Sequence, residues 1–453
     1  MEWEKLLQPY RLGCPKRINK DIGRHEFQRD FDRIIFSTAF RRLQGKTQVF
    51  PFPESDTIHT RLTHSLEAAS VGRSLGTIVG KELNRKHQFI NPWELGSLVS
   101  VACLAHDIGN PPLGHSGESS ISEYFKTQEG QKIIEDLDNE EKNDFIEFEG
   151  NALGFHILTH SNKYITKVSG GLALTLPTLS AYCKYPRPSY YPNKNKNAIS
   201  EKKPGLFKCD IKVYENEIAK ILGIKKKIDK KGWFRHPLAF LNEAADDICY
   251  TINDFEDGYK HGIISFELIK SLYIEIANEF PQQSNISNID NIINKADKIG
   301  YLRAKAINSL VFQVADIFIK NEEKILKCEF DQQLIDLIKS KPILDKILKI
   351  SREKIYSYRT VLQVETAGFQ VIPGLLNIFL SALRDKGVSD KKGIKCKESS
   401  AKILKLIPSN YLFDYNKEKY DSILNITTYI AGMTDNFAVD TYRNLRGIQL
   451  PNY

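Results

Sequence analysis

The chain has 453 residues, of which 41% are hydrophobic and 26% are charged, and its formal net charge at pH 7 is +8. This composition is typical of a globular protein that buries a large core. The positive charge favours polyanionic partners such as nucleotides, nucleic acid or acidic lipid, although a solvated basic surface is the more common reason for such an excess.

The N-terminus, MEWEKLLQPYRLGCPKR, lacks the basic-then-apolar order of a secretory signal peptide. No run reaches the roughly 18 to 20 apolar residues that are needed to cross a bilayer. The seven cysteines are scattered and odd in number, without the spacing of paired zinc ligands or of a disulfide framework. These features predict a soluble, cytoplasmic protein in a reducing compartment.

Apolar residues recur at helical spacing through most of the chain, whereas alternating, strand-like runs are scarce. The sequence therefore predicts a mainly α fold with few or no strands. The segments with this spacing are roughly 62–84, 94–107, 150–160, 236–257, 264–280, 301–320, 331–349 and 352–384.

The first two helices end or begin with ionisable residues. HTRLTHSLEAASVGRSLG (59–76) places His64 in the first turn of an amphipathic helix, and LVSVACLAHDIG ends a buried helix on His106 and Asp107. Buried imidazoles and carboxylates are costly unless they are paired or bound to a metal. Taken singly, a histidine in a helix is more often a hydrogen-bonded core residue than a ligand.

The chain must turn directly after Asp107, because Gly-Asn-Pro-Pro cannot continue a helix. GHSGESSISEYF then begins a new helix, with His115 and Glu118 three residues apart on one face. A histidine oriented by a carboxylate is suited to general acid–base catalysis. Alternatively, Glu118 merely interacts favourably with the helix dipole.

Residues 184–208, KYPRPSYYPNKNKNAISEKKPGLFK, contain four prolines and seven Lys or Arg residues against one Glu. They predict either a flexible surface loop or a basic loop that closes over a phosphate-rich ligand. A second polar stretch, 387–402, predicts a connection between helices, without a function.

The helix of residues 236–257 carries Asp246, with Tyr250 and Asp254 following at intervals of four residues on one face. Such a stripe could contact a phosphate, a sugar ring and a sugar hydroxyl in turn, or it could be a core tyrosine beside two solvated acids. Together with His64, His106 and Asp107, it suggests one shared site of nitrogen and oxygen ligands. That set suits Mn²⁺, Fe²⁺, Co²⁺ or Mg²⁺ better than a thiolate-bound zinc ion.

These residues resemble the HD-domain superfamily of metal-dependent phosphohydrolases and, more narrowly, the bacterial deoxyguanosine triphosphate triphosphohydrolases (dGTPases). Short HD matches are common by chance, whereas many ordered matches are specific. The matching segments are FRRLQGKTQVFP (40–51), HTRLTHSLE (59–67), AHDIGNPPLGHSGE (105–118), FEGNALGF (148–155), KYP (184–186), KKPG (202–205), EAADDICYTINDFED (243–257) and YIAGMTDNFAVDTY (429–442).

The resemblance implies an HD-type helical core over residues 1–275, which includes the basic loop, and a C-terminal helical region over 276–453 that packs on it. It also implies one divalent cation, Mn, Mg, Fe or Co, held by His64, His106, Asp107 and Asp246. Asp246 is preferred to its neighbour because Tyr250 and Asp254 then occupy the sugar-contacting positions of the family.

The resemblance further implies a catalytic dyad, His115 and Glu118, and assembly into homo-oligomers, often hexamers. A nucleotide or single-stranded DNA is an expected effector, and no membrane is involved. The substrate-binding positions that it implies are Gln48, Val49, Arg61, Asn151, Lys184, Tyr185, Lys203, Tyr250 and Asp254.

The implied reaction is hydrolysis of dGTP, with other deoxynucleoside triphosphates left open, to deoxynucleoside and inorganic triphosphate in control of the nucleotide pool. Two alternatives remain. One is another HD phosphohydrolase, which acts as a nucleotide phosphodiesterase or on an alarmone. The other is a DNA-binding regulatory subunit with a non-catalytic HD site, which the net charge permits.

Overall fold

The computed structural model describes residues 1–13, 23–50, 58–160, 170–192, 194–195, 197–228, 231–282, 284, 286–412 and 414–449, without the side chain of His115. Helices dominate this part of the chain, and it contains isolated β-bridges but no β-strand. The predicted mainly α class is therefore confirmed.

The helices of the first half of the chain carry most of the predicted site. They are α1 (Trp3–Leu6), α2 (Glu26–Ile35), α3 (Thr38–Arg42), α4 (Arg61–Lys86), α5 (Pro92–Ala105), α6 (His115–Lys126), α7 (Gln128–Ile134), α8 (Asn139–Ile146), α9 (Gly150–Thr159), α10 (Leu176–Tyr182), α11 (Ile211–Val213) and α12 (Lys220–Leu222). A π-helical turn, Tyr214–Ala219, joins the last two.

The helices of the second half are longer on average. They are α13 (Pro237–Lys260), α14 (Phe266–Asn278), α15 (Lys295–Lys327), α16 (Lys341–Ile350), α17 (Arg359–Lys392), α18 (Glu398–Leu404), α19 (Lys419–Ala431) and α20 (Asp435–Leu445).

Two predicted segments differ from the structure. The segment 331–349 is a short 3₁₀ turn, Leu334–Leu337, followed by α16. The predicted polar connection 387–402 is wrong in extent, because α17 continues to Lys392 and ends at Gly393, whose φ of 63° is readily adopted by glycine. The polar residues before Gly393 belong to a helix rather than to a loop, with Asp390, Lys391 and Lys392 exposed and Ser389 buried.

Helices α4 and α5 pack closely because glycines face each other across the contact. A Cβ atom added at Gly76 would lie 2.8 Å from the Cα of Gly96 and 2.9 Å from the carbonyl oxygen of Leu95. Both helices also contribute to the larger cluster of buried apolar side chains. This contact holds α4 and α5, which carry His64 and lead to His106, against each other.

A second apolar cluster joins α6, α8 and α9 to the C-terminal helices α17, α19 and α20. Both clusters draw residues from either side of position 276. The division into regions 1–275 and 276–453 stays a prediction.

Helix α17 is long and apolar enough to cross a membrane by length and composition, which the sequence analysis did not anticipate. Half of its most apolar 18-residue window is buried inside the protein. Such burial is typical of a core helix in a water-soluble fold.

Candidate active site

A cavity of about 520 Å³ lies where α4, α5, α6 and α13 meet. Its size is that of a small-molecule site. The predicted site residues that line it are Gln48, Val49, Arg61, His64, His106, Asp107, Glu118, Asn151, Lys184, Tyr185, Lys203, Asp246 and Tyr250.

The four predicted metal ligands converge at one end of this cavity. Asp246 Oδ1 lies 3.2 Å from His64 Nε2 and 3.3 Å from His106 Nε2. Asp107 Oδ1 lies 3.4 Å from the same nitrogen of His106. His64, His106 and Asp107 offer ligand atoms within 4.8 Å of one another that could hold one divalent cation, and Asp246 contacts both histidines.

Local structure explains how these side chains reach the site. Thr60 forms a capping box with Thr63, so α4 begins at Arg61 and His64 lies in its first turn. Helix α5 ends just before His106, and Asp107 lies in the turn that follows.

Contacts around the ligands fit a bound cation. The Nδ1 atom of His106 lies 2.6 Å from the carbonyl oxygen of Cys103, which leaves Nε2 facing the carboxylates. A ligand histidine commonly donates its other ring N–H in this way. Asn110 donates to Asp107 Oδ1 at 2.5 Å.

Two cationic side chains pair with the buried Asp107 and the partly buried Asp246. Lys184 Nζ lies 2.5 Å from Asp246 Oδ2, and Arg61 Nη1 lies 3.0 Å from Asp107 Oδ2. Burial opposes ionisation of Asp107, but His106 and Arg61 lower its pKa to about 2. Both aspartates are therefore ionised and available as ligands at neutral pH.

The ends of the basic loop 184–208 face the cavity through Lys184, Tyr185 and Lys203. Lys203 Nζ lies 2.9 Å from Glu149 Oε1, and the side-chain Nδ2 of Asn151 donates to the same oxygen at 2.7 Å. Both ends of this loop thus contribute to the lining of the cavity, and closure of the loop over a ligand stays a prediction.

The proposed dyad lies at the start of α6. Leu113 and Gly114 adopt positive φ angles of 64° and 68°, which turn the chain so that the helix begins at His115. The side chain of His115 is outside the described part of the structure. Glu118 Oε1 accepts a hydrogen bond from the backbone N–H of Gly150 at 2.8 Å.

Comparisons with known proteins identify the family of this chain. The HD domain family model matches residues 61–204. A deoxyguanosinetriphosphate triphosphohydrolase-like protein of Synechocystis sp. is 40% identical over 99% of this chain and 100% of its own length. The chain belongs to the deoxyguanosinetriphosphate triphosphohydrolase family. It is thus an HD-domain hydrolase, and the HD domain implies a divalent metal.

Two further relatives show how much of the chain the similarity covers. A deoxyguanosinetriphosphate triphosphohydrolase-like protein of Pseudomonas aeruginosa is 36% identical over 100% of both chains. The deoxyguanosinetriphosphate triphosphohydrolase of Salmonella paratyphi A is 30% identical over 93% of this chain and 94% of its own. The match to the family therefore extends well beyond the HD domain.

Asp254 lies apart from the other predicted substrate-binding residues. It is buried and is not among the described residues that line the cavity. Its Oδ2 accepts a hydrogen bond from the hydroxyl of Tyr356 at 2.9 Å, and that ring stacks on Tyr250 with centroids 6.1 Å apart. Burial raises the pKa of Asp254 to about 8.

Tyr356 and Asp435 are two residues at the site that the sequence did not predict. Tyr356 lines the cavity beside Tyr250, and its hydroxyl reaches the buried Asp254. Asp435 Oδ2 accepts from the backbone N–H of Thr47 at 2.9 Å, and its Oδ1 accepts from that of Leu113 at 2.8 Å. Asp435 lies in the segment 429–442, which resembles the family, so the sequence contained a motif that could have indicated it. The sequence around Tyr356 contains no such motif.

Proposed function

We propose that this protein hydrolyses dGTP, and by extension other deoxynucleoside triphosphates, to deoxynucleoside and inorganic triphosphate. The observation that carries the proposal is the meeting of His64, His106, Asp107 and Asp246 at one end of a cavity that is also lined by lysine and arginine side chains. In the reaction, water adds to the α-phosphorus, the bond from that phosphorus to the 5′-oxygen breaks, and the 5′-oxygen takes up a proton.

The four ligands would hold one divalent cation. When bound, this cation supplies Lewis-acid polarisation of an α-phosphate oxygen. Arg61, Lys184 and Lys203 would neutralise the triphosphate. In the structure, each of these three basic side chains pairs with a carboxylate. A bound triphosphate would replace those carboxylates as the anionic partner.

We assign the proton transfer to His115, oriented by Glu118. His115 would donate a proton to the departing 5′-oxygen or assist the attacking water. Glu118 is anchored by the N–H of Gly150, which supports its role in orienting rather than in transferring protons.

The sugar would lie between Gln48 and Tyr250. Gln48 Oε1 is buried without a hydrogen-bond partner among the described residues, as expected of a group that awaits the 3′-hydroxyl. Tyr250 packed against C2′ would exclude a ribose 2′-hydroxyl. Asp254 would bind the 3′-hydroxyl once Tyr356 releases it, and Val49, Asn151 and Tyr185 complete the lining.

The decisive experiment incubates the full chain, loaded with Mn²⁺, separately with each of the four deoxynucleoside triphosphates and with GTP, and identifies the products by mass. We expect deoxynucleoside and triphosphate from dGTP and little turnover of GTP. A monophosphate or pyrophosphate product would instead identify another class of HD phosphohydrolase. Steeply salt-dependent DNA binding without turnover would favour the regulatory alternative.

Three finer assignments belong to the same proposal. The cation is Mn²⁺, Mg²⁺, Fe²⁺ or Co²⁺, the protein forms a homo-oligomer with a hexamer favoured, and a nucleotide or single-stranded DNA acts as effector. Metal analysis of the purified protein, light scattering and assays with added oligonucleotide test them in that order.

A further inference from the structure

A second group of metal-binding side chains lies outside the candidate active site. His156 lies in the last turn of α9, His160 follows that helix, and Cys209 and Asp210 lie in the short turn Lys208–Asp210. One potential ligand atom from each of the four lies within 4.8 Å of the others. None of these residues lines the active-site cavity.

The separations within this group suit a tetrahedral zinc-type ion. Asp210 Oδ1 lies 3.2 Å from His156 Nδ1 and 3.0 Å from His160 Nδ1, and Cys209 Sγ lies 3.6 Å from His156 Nδ1. Ligands at ordinary zinc distances in a tetrahedron are about 3.3 Å apart for nitrogen and oxygen and about 3.6 Å apart for nitrogen and sulfur. The imidazoles of His156 and His160 are stacked with centroids 4.1 Å apart, so one ring would rotate to let both nitrogen lone pairs reach one ion.

The polar balance of the group also points to a cation. Asp210 is fully buried, and its Oδ2 has no hydrogen-bond partner among the described residues. A buried polar atom of this kind calls for an unseen partner. A dication bound by one thiolate, one carboxylate and two neutral imidazoles forms a neutral set, which is the arrangement least costly to bury.

Neighbouring contacts hold the cysteine-bearing turn in place. Asp144 Oδ2, on α8, accepts from the backbone N–H of Lys208 at 2.8 Å and from the hydroxyl of Tyr420 at 2.6 Å. That hydroxyl lies 3.7 Å from Cys209 Sγ. Such support orients ligands before an ion binds.

We propose that His156, His160, Cys209 and Asp210 form a second metal site, selective for Zn²⁺ or Co²⁺, which fastens the segment after the basic loop to the end of α9. The sulfur ligand separates its metal preference from that of the active site, whose predicted ligands are nitrogen and oxygen atoms. The site is independent of the proposed reaction, so the dGTP assay and the metal measurements below can fail separately.

The test loads the full chain with Co²⁺, because thiolate ligation produces a sulfur-to-cobalt charge-transfer absorption in the near ultraviolet. The same measurement is made on the Asp246→Ala variant. This variant lacks one predicted ligand of the active site, so that Co²⁺ bound elsewhere can be observed. We expect about one Co²⁺ per chain with this absorption in that variant, and the same absorption in the unaltered protein.

Three variants complete the test. Cys209→Ser and His160→Ala should abolish the absorption and the rise in melting temperature that Zn²⁺ produces, while Cys328→Ser, a partly buried cysteine elsewhere, should retain both. His160 is 31% exposed, so its replacement leaves the core intact even if Cys209→Ser fails to fold. Absence of the absorption from the unaltered protein, or its persistence in His160→Ala, would overturn the proposal.

Discussion

Asp246 and Asp247 are adjacent in the chain, yet they meet different neighbours. Asp246 reaches both histidines, whereas Asp247 Oδ2 accepts a hydrogen bond from Gln333 at 3.2 Å. Burial, with Glu243 and Asp246 nearby, raises the pKa of Asp247. The pKa of Asp246 is lowered by Lys184 and His106, so the two adjacent acids shift in opposite directions.

This difference makes a paired prediction. Asp246→Ala should abolish both metal binding at the active site and dGTP hydrolysis, because it removes an oxygen shared by two histidines. Asp247→Asn should retain the metal, since Asp247 is paired with Gln333 and the two histidines are contacted by Asp246. Metal analysis after dialysis checks both. If Asp246→Ala keeps its active-site metal, the ligand has been assigned to the wrong aspartate.

His115 is predicted to act on protons and not on the metal. His115→Ala should therefore keep its metal content while turnover falls about 10²-fold or more. Steady-state kinetics beside metal analysis measures this, and Glu118→Gln should show a smaller loss. Unchanged turnover in His115→Ala would remove the dyad from the mechanism.

Tyr250 is predicted to select against ribonucleotides by filling the space beside C2′. Tyr250→Ala should raise kcat/KM for GTP relative to dGTP by about tenfold or more, because a 2′-hydroxyl can then enter. Tyr250→Phe keeps the ring and should keep the selectivity. The ratio of the two substrates' kcat/KM values is the measurement, and strict selectivity in the alanine variant would point to another residue, such as Tyr356.

Helices α4 and α5 show how single elements position the site. Their apolar spacing predicts both helices, and their ends carry His64 and His106 because a capping box begins one and a Gly-Asn-Pro-Pro turn follows the other. The sequence does not reveal that Gly76 and Gly96 let the two helices approach closely.

Gly76→Ala should consequently lower the free energy of unfolding by about 1–3 kcal/mol, because the added methyl group meets the backbone of α5. Gly300→Ala is the matched control on helix α15, where nothing lies within 4 Å of an added Cβ. It should stabilise the protein by about 0.5–1 kcal/mol through helix propensity. Urea unfolding measures both, and equal effects would contradict the close contact.

In the molecule as a whole, the C-terminal helices complete a site whose predicted ligands all come from the first 275 residues. Asp435 at the start of α20 binds the backbone N–H groups of Thr47 and Leu113, which adjoin Gln48 and the turn before His115. Lys46 Nζ donates to the carbonyl oxygens of Asn110 and Ala431. Residues of the C-terminal region thus hold in place the segment next to Gln48 and the turn before His115.

Asp435→Ala should lower kcat by about tenfold or more, since small displacements of catalytic groups are costly, while the metal content stays the same. Asp440→Asn, an exposed acid on the same helix, is the control and should leave kcat unchanged. Separate determination of kcat and KM distinguishes a positioning effect from weaker substrate binding. Normal kcat in Asp435→Ala would show that these contacts serve stability alone.

The sequence by itself determined the mainly α class and the approximate positions of the long helices, and it predicted the nitrogen and oxygen chemistry of the metal ligands. Helical periodicity and turn residues act over a few neighbours, so they can be read locally. The ordered motifs added the family, and with it the assignment of Asp246 over its neighbour.

Only the tertiary structure decided which distant groups meet. The hydrogen bond of Tyr356 to Asp254, the hold of Asp435 on two turns and the grouping of His156 with Cys209 each join residues that are far apart in the chain. Such contacts depend on how helices pack against one another, and no local pattern encodes that packing.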